Sequence, residues 1–129
     1  MPDLEKLRFT KTHEWLRVEG DMGYVGITDH AQKEITDVVF VELPKSGKEL
    51  VKGGEAAVVE SVKAAFSIYA PVSGKVVKIN TAVEKDPSLV NRSPYEEGWF
   101  FAIVIKDKAE IDSLMDHKGY LEFIKSGAH

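Results

Sequence analysis

The sequence predicts an α+β domain in which β-structure dominates. Runs of β-branched or alternating apolar residues recur along the chain, at 38–43, 66–70, 75–80 and 99–105. Turn signals separate them: Gly20 and Gly23, Ser46-Gly47, Gly53-Gly54, and Pro71 through Gly74. Helical spacing is confined to short peripheral stretches and to the end of the chain. Such a pattern gives a β-rich layer with helices at its edges. A weak echo, Ser46-Gly47-Lys48 and Ser73-Gly74-Lys75, suits a barrel-sandwich of two similar halves.

In chain order, residues 9–18 read as a first strand, 19–23 as a turn and 24–27 as the return strand. The glycines at 20, 23 and 26 lack the G-x-G-x-x-G spacing of a phosphate loop, and a hairpin turn is the better reading. Thr28 and Asp29 are helix-start residues, with a short helix predicted to Thr36, Ala31 and Ile35 sharing a face. The strand at 38–43 is ended by Pro44. Pro87 is suited to the first position of a helical turn over 86–91. Residues 93–98 read as a loop and 99–105 as a central apolar strand. Beyond Lys108, Ile111, Leu114 and Met115, then Leu121 and Ile124 past Gly119, predict two short helices packed on the sheet.

Composition narrows the function classes. The 129 residues are 43% hydrophobic and 29% charged, enough for a packed core, and no linker divides them, so 1–129 is expected to be a single domain. The formal net charge is −4 with no Lys/Arg run, which argues against a nucleic-acid partner. No apolar run approaches a membrane span. Met1-Pro2-Asp3-Leu4-Glu5 lacks the layout of a signal or transit peptide, so a cytoplasmic location is expected. The chain has no cysteine, which excludes disulfides and thiolate chemistry; any redox function must come from an attached group. His13-Glu14 does not extend to H-E-x-x-H because Arg17 stands where the second histidine belongs. His13, His30, His117 and His129 are scattered, so no metal site is expected, and no G-x-S-x-G surrounds a serine. No catalytic residue is predicted.

The informative stretch is Glu60-Ser61-Val62-Lys63-Ala64-Ala65. Apolar residues precede it, and Phe66, Ile68 and Ala70 alternate with Ser67 and Tyr69 after it. This reads as a β-hairpin with Lys63 at its tip. A lone lysine is usually just a solvated surface residue. Here Ser61, Ala64 and Ala65 are small, leaving space for another protein's active site to close around it. No Gly or Asn occupies the turn, which disfavours type I′ and fits a type I-based connection.

This hexapeptide, continued by Ser67-Ile68-Tyr69-Ala70-Pro71-Val72-Ser73-Gly74, resembles the lipoylation site of the glycine cleavage H-protein family. Biotin carriers typically set the lysine between methionines, whereas Val62 and Ala64 flank it here. The resemblance extends to Thr12-His13-Glu14-Trp15, to the block from Gly26 to Gln32, and to Val38 through Pro44. It continues in Pro87-Ser88-Leu89-Val90-Asn91 and in Pro94 through Trp99. These cover nearly the whole chain in family order. The sequence departs at Phe66-Ser67, where the family has Ser-Asp, and at Thr36, where it has Gly.

The resemblance implies a barrel-sandwich hybrid like the biotinyl and lipoyl carriers, with short peripheral helices and a helical C-terminus. It implies a non-catalytic carrier with lipoate covalently attached to Lys63, and with Glu60, Ser61, Val62 and Ala64 forming the recognition surface. Thr12, Glu14, His30 and Ser67 are expected to line the cleft for the arm, Glu14 being the acid facing a cationic aminomethyl group. The implied partners are a pyridoxal-phosphate glycine decarboxylase (P protein), a folate-dependent aminomethyltransferase (T protein) and dihydrolipoamide dehydrogenase (L protein). A lipoate ligase or lipoyl transferase would load the carrier. Two other readings stay open: the Phe66-Ser67 departure allows a lipoyl carrier of the same fold serving lipoate relay or sulfur trafficking, and the chain could be an unmodified β-domain acting only as an interaction module.

Overall fold

The computed structural model describes residues 3–127. Met1, Pro2, Ala128 and His129 lie outside the described residues, and with them part of the N-terminal reading and one histidine. The elements are β1 (Leu7–Phe9), β2 (Glu14–Glu19), β3 (Met22–Ile27), α1 (Asp29–Ile35), β4 (Val38–Glu42), β5 (Glu49–Leu50), β6 (Glu55–Ser61), β7 (Ala65–Tyr69), β8 (Gly74–Ile79), α2 (Thr81–Lys85), α3 (Leu89–Arg92), β9 (Phe101–Ile105) and α4 (His117–Lys125). Leu4–Lys6 and Lys108–Ser113 are 3-10 turns.

Two open antiparallel sheets face each other, one of six strands in the order β1-β2-β3-β9-β8-β5 and one of three in the order β4-β6-β7. Alternation along the strands builds the core between them. Leu16, Val25, Phe101 and Ile103 from the larger sheet meet Val41, Val59 and Ile68 from the smaller. Each such side chain, fully buried, contributes about 1.5–3 kcal/mol relative to exposure. A second cluster covers the outer face of the larger sheet, where Leu7, Phe9 and Trp15 pack under Tyr120, Phe123 and Ile124 of α4. This mainly-β arrangement with short peripheral helices is the barrel-sandwich hybrid expected. The two Ser-Gly-Lys segments lie side by side: Gly47 N–H donates to Val76 O at 2.7 Å and Val76 N–H to Lys48 O at 2.9 Å.

Several element boundaries differ from the sequence reading. The predicted first strand is broken in two, and its halves pair with each other, Phe9 opposite Trp15. The break is made by Thr10, whose hydroxyl accepts from Glu14 N–H at 3.0 Å, and by His13, which sits at φ 73°. A threonine that bonds nearby backbone competes with a continuing ladder. Helix α2, absent from the sequence reading, starts at Asn80, whose side chain accepts from Ala82 N–H. Helix α3 begins at Leu89, so Pro87 precedes the helix rather than opening it. Trp99 and Phe100 lie before β9. The predicted helix around Ile111 is a 3-10 turn, because Met115 leaves it to exchange backbone hydrogen bonds with Phe9 (2.8 and 2.9 Å). Gly119 falls inside α4 instead of before it.

Candidate functional site

The β6–β7 hairpin supplies the central and one edge strand of the smaller sheet, and its register, Val58 opposite Ser67 and Glu60 opposite Ala65, puts Val62 and Lys63 at the tip. Ser61 organises the turn. Its N–H donates to Ala64 O at 2.9 Å, and its hydroxyl accepts from Lys63 N–H at 3.1 Å and Ala64 N–H at 3.4 Å. A serine hydroxyl thus takes over an acceptor role that turn backbone otherwise supplies. Among the described residues only His13 and Thr36 are non-glycines with positive φ. The connection is therefore neither type I′ nor type II′, both of which need positive φ at a central residue.

The tip docks on the segment between α1 and β4. Val62 N–H donates to Asp37 O at 3.0 Å, while the Val62 side chain remains 66% exposed. Lys63 Nζ donates to Glu34 O at 3.0 Å. That carbonyl belongs to the last turn of α1, where helix carbonyls lack intrahelical partners and the dipole favours a cation. Asn91 holds the segment from the other side, donating to Thr36 O at 2.9 Å and accepting from Val38 N–H at 2.9 Å. The Pro87–Asn91 block thereby supports the platform under the lysine. Glu60 and Ala64 are exposed beside the tip, and Ser61 is buried.

The other expected site residues fall into separate groups. His30, on α1, lies 2.7 Å from the Glu34 carboxylate, so it adjoins the platform that receives Lys63. Its ring is 4.9 Å from that of His13, a proximity that sequence separation concealed. Among the described residues no set of three or more His, Asp or Glu gathers as a metal site. His13 Nδ1 lies 2.8 Å from Tyr120 OH, which lies 2.7 Å from Thr28 Oγ1. Burial pushes the Tyr120 phenol up to about 12, so it stays protonated and can hydrogen-bond both.

Glu14 is only 1% exposed. Thr10 and Thr12 hydroxyls donate to Oε1, each at 2.5 Å, and Tyr69 N–H donates to Oε2 at 3.2 Å. Burial raises its pKa above the ordinary carboxyl range, and the hydrogen bonds from Thr10, Thr12 and Tyr69 oppose that shift without cancelling it. A cavity of about 230 Å³ opens beside it, lined in part by Phe9, Thr12, Tyr69, Pro71 and Met115. Ser67 sits on the same strand as Tyr69 but turns to a different acid, donating to Glu55 Oε2 at 2.9 Å. The structure thus joins Thr12 to Glu14, Lys63 to the helix carrying His30, and Ser67 to Glu55. Sequence reasoning did not assign Glu34, Tyr69 or Glu55 to the site. Glu34 and Asp37 meet the tip through their carbonyls, and Tyr69 meets Glu14 through its N–H, backbone groups that leave no residue-type signal.

The family model for "Glycine cleavage H-protein" matches residues 7–127. The chain belongs to the glycine cleavage H-protein family. An H protein of Beijerinckia indica is 59% identical over 119 residues, covering 92% of this chain and 96% of that one. One of Thermus thermophilus is 54% identical over 127 residues, covering 98% and 99%. The crystal structure of a Mycobacterium marinum glycine cleavage system H protein superposes with a TM-score of 0.85 at 31% identity, covering 98% of this chain and 99% of that one. Other H-family blocks are structural in this chain. Trp15 Nε1–H donates to Pro94 O at 2.9 Å, and Asp29 N–H donates to Tyr95 OH at 3.0 Å.

Proposed function

We propose that this H-family chain is the lipoyl-lysine carrier of a glycine cleavage system, and that Lys63 is the attachment point. One observation supports the assignment: Lys63 stands exposed at the tip of the β6–β7 hairpin, beside the small residues Ser61, Ala64 and Ala65, with its amine resting on the solvent-exposed Glu34 carbonyl. The residues fit the group. The Glu34 carbonyl that accepts from the ammonium can equally accept from the N–H of an amide formed there. When bound, lipoate supplies a dithiolane that carries the aminomethyl group of glycine from the decarboxylase to the folate-dependent transferase and is then reoxidised by the dehydrogenase.

The protein's own part is positioning. The Ser61 hydroxyl and the Asp37 carbonyl fix the tip, so the arm pivots from one point and meets each partner's site at high effective concentration. Thr12, His30 and Ser67 are the partly or fully exposed groups taken to meet the arm, with Glu14 buried behind the Thr12 hydroxyl. Glu14 supplies a carboxylate for a cationic amine, and the hydroxyl of Thr12, exposed at the cleft, rotates to admit it. The cavity beside Glu14 offers a partly water-shielded pocket. Ser67 stands where an acid is usual in the family, but it holds the carboxylate of Glu55 on the neighbouring β6, which keeps negative charge beside that stretch of β7 and favours the glycine cleavage reading over lipoate relay or sulfur trafficking.

The test is intact mass after co-expression with a lipoate ligase. The wild type is expected to gain one lipoyl group and Lys63→Arg none. Lipoyl mass on Lys63→Arg would overturn the assignment.

A further inference from the structure

The outer face of the three-stranded sheet has an unusual composition. Antiparallel register sets Phe40 opposite Glu60 and Glu60 opposite Ala65, one row from the tip; the next row is Glu42, Val58 and Ser67. The inward-facing residues of the same strands, Val41, Val59 and Ile68, are in the core. Phe40 is nevertheless 48% exposed, and Val39, displaced by the irregularity between Val38 and Phe40, is 55% exposed. With Val62 they form an apolar ridge running to the lysine. Strands β4, β6 and β7 contain three glutamates, Glu42, Glu55 and Glu60, and no Lys or Arg. Lys45 and Lys48 belong to the turn beyond the end of β4 farther from the tip. A phenylalanine left half out in a rim of like charge marks a recognition surface more than a packing compromise.

We propose that this ridge, with Phe40 as its anchor, is the surface gripped by the enzyme that acylates Lys63, through an apolar pocket with a basic rim. The proposal rests on Lys63 being the attachment point. Among the partners of a carrier, the acylating enzyme alone must bring its reaction centre to Nζ itself. Enzymes acting at the far end of the arm need contact only the arm. In the acylation, the ammonium gives up a proton, and the free amine attacks the carbonyl of lipoate activated as an acyl-adenylate. The C–N bond forms, the bond to phosphate breaks, AMP departs, and the second proton leaves Nζ. During this step Nζ must be drawn off the Glu34 carbonyl. A grip on Phe40 and the glutamate rim leaves Lys63 free to move while the hairpin is held.

The experiment uses the full chain with purified lipoate ligase, ATP and lipoate, following acylation by intact mass. Phe40→Ser is expected to lower kcat/KM for acylation at least tenfold, with Phe40→Leu recovering most of it. Glu42→Gln should lower it less and flatten its dependence on salt, since rim charges act mainly through screened, longer-range attraction. Because half of the Phe40 surface is already in water, Phe40→Ser should stay folded and melt only a few degrees below the wild type; once fully loaded at high ligase concentration, it should serve glycine decarboxylase within twofold of wild type. Acylation of Phe40→Ser at the wild-type rate overturns the proposal. So does a defect seen only with the decarboxylase, or a wild-type dimer in sedimentation that Phe40→Ser dissolves. A wild type that gains no lipoyl mass overturns the attachment reading itself, which separates the two failures.

Discussion

Lys63 Nζ rests 3.0 Å from the Glu34 carbonyl, so the tip lysine is tied to the last turn of α1. The bond is exposed, and such a contact is worth about 0.5–1 kcal/mol net. An amide N–H can replace the ammonium as donor. Unmodified and lipoylated proteins are therefore expected to melt within a degree or so of one another by calorimetry. A large stabilisation by lipoate would mean that the arm itself packs on the protein in its resting state.

Thr36 occupies a conformation made for glycine, at φ 65° and ψ −151°. That region is essentially closed to side chains, at a cost of about 1–3 kcal/mol. The family's usual Gly has a conformational reason here. Thr36→Gly should relieve the strain, while extra freedom in the unfolded chain takes back roughly 0.5–1 kcal/mol. A net gain of about 1 kcal/mol is expected in chemical denaturation, with no gain for Thr36→Ala. Equal effects of Gly and Ala would show that φ is not the source.

Gly26 lies against the indole of Trp15, and a Cβ there would come within 2.6 Å of Cζ2. Trp15 is fully buried and bonded to Pro94 O, so it has nowhere to retreat. Gly26→Ala should cost about 1–3 kcal/mol as overpacking. Thermal melting would show this as a fall of roughly 3–5 °C per kcal/mol for a chain of this size. An unchanged melting temperature would mean that the indole shifts freely.

The sequence showed most of the β-framework because strands such as 38–42 and 65–69 alternate on a two-residue period that survives folding. The hairpin and its lysine were legible for the same reason, reinforced by the family blocks. The break at Thr10–His13 was hidden, since a threonine bonding local backbone looks like any strand threonine. The Ser67–Glu55 pairing and the Lys63 platform were hidden too. Ser67 and Glu55 lie 12 residues apart across a hairpin with a register shift between Glu55 and Ala57, and the platform is built of carbonyls. The proximity of His13 and His30 depends on β2 turning back through β3 into α1, which no local pattern encodes.

Glu14 gives a pH signature with a definite sign. Burial holds its folded pKa above the unfolded value. Between those two values the folded state binds more protons than the unfolded one, so this group's contribution to stability falls as pH rises. Below the unfolded pKa both states are protonated and the penalty vanishes; above the folded pKa it is complete. A glutamine in its place would not titrate, and the amide matches the surroundings: its Oε1 can face the Tyr69 N–H while the NH₂ donates to the two threonine hydroxyls. The stability of Glu14→Gln relative to wild type should therefore improve as pH rises above the ordinary carboxyl value of about 4.3, and level off once the folded carboxyl has ionised. Glu14→Ala should be worse than either, by about 1–3 kcal/mol, because it leaves the Tyr69 N–H unpaired. Melting curves of the three proteins across that range decide it. A gap between wild type and Glu14→Gln that is flat with pH, or that closes as pH rises, would mean that Glu14 is not held above its ordinary range and that its burial is compensated in full.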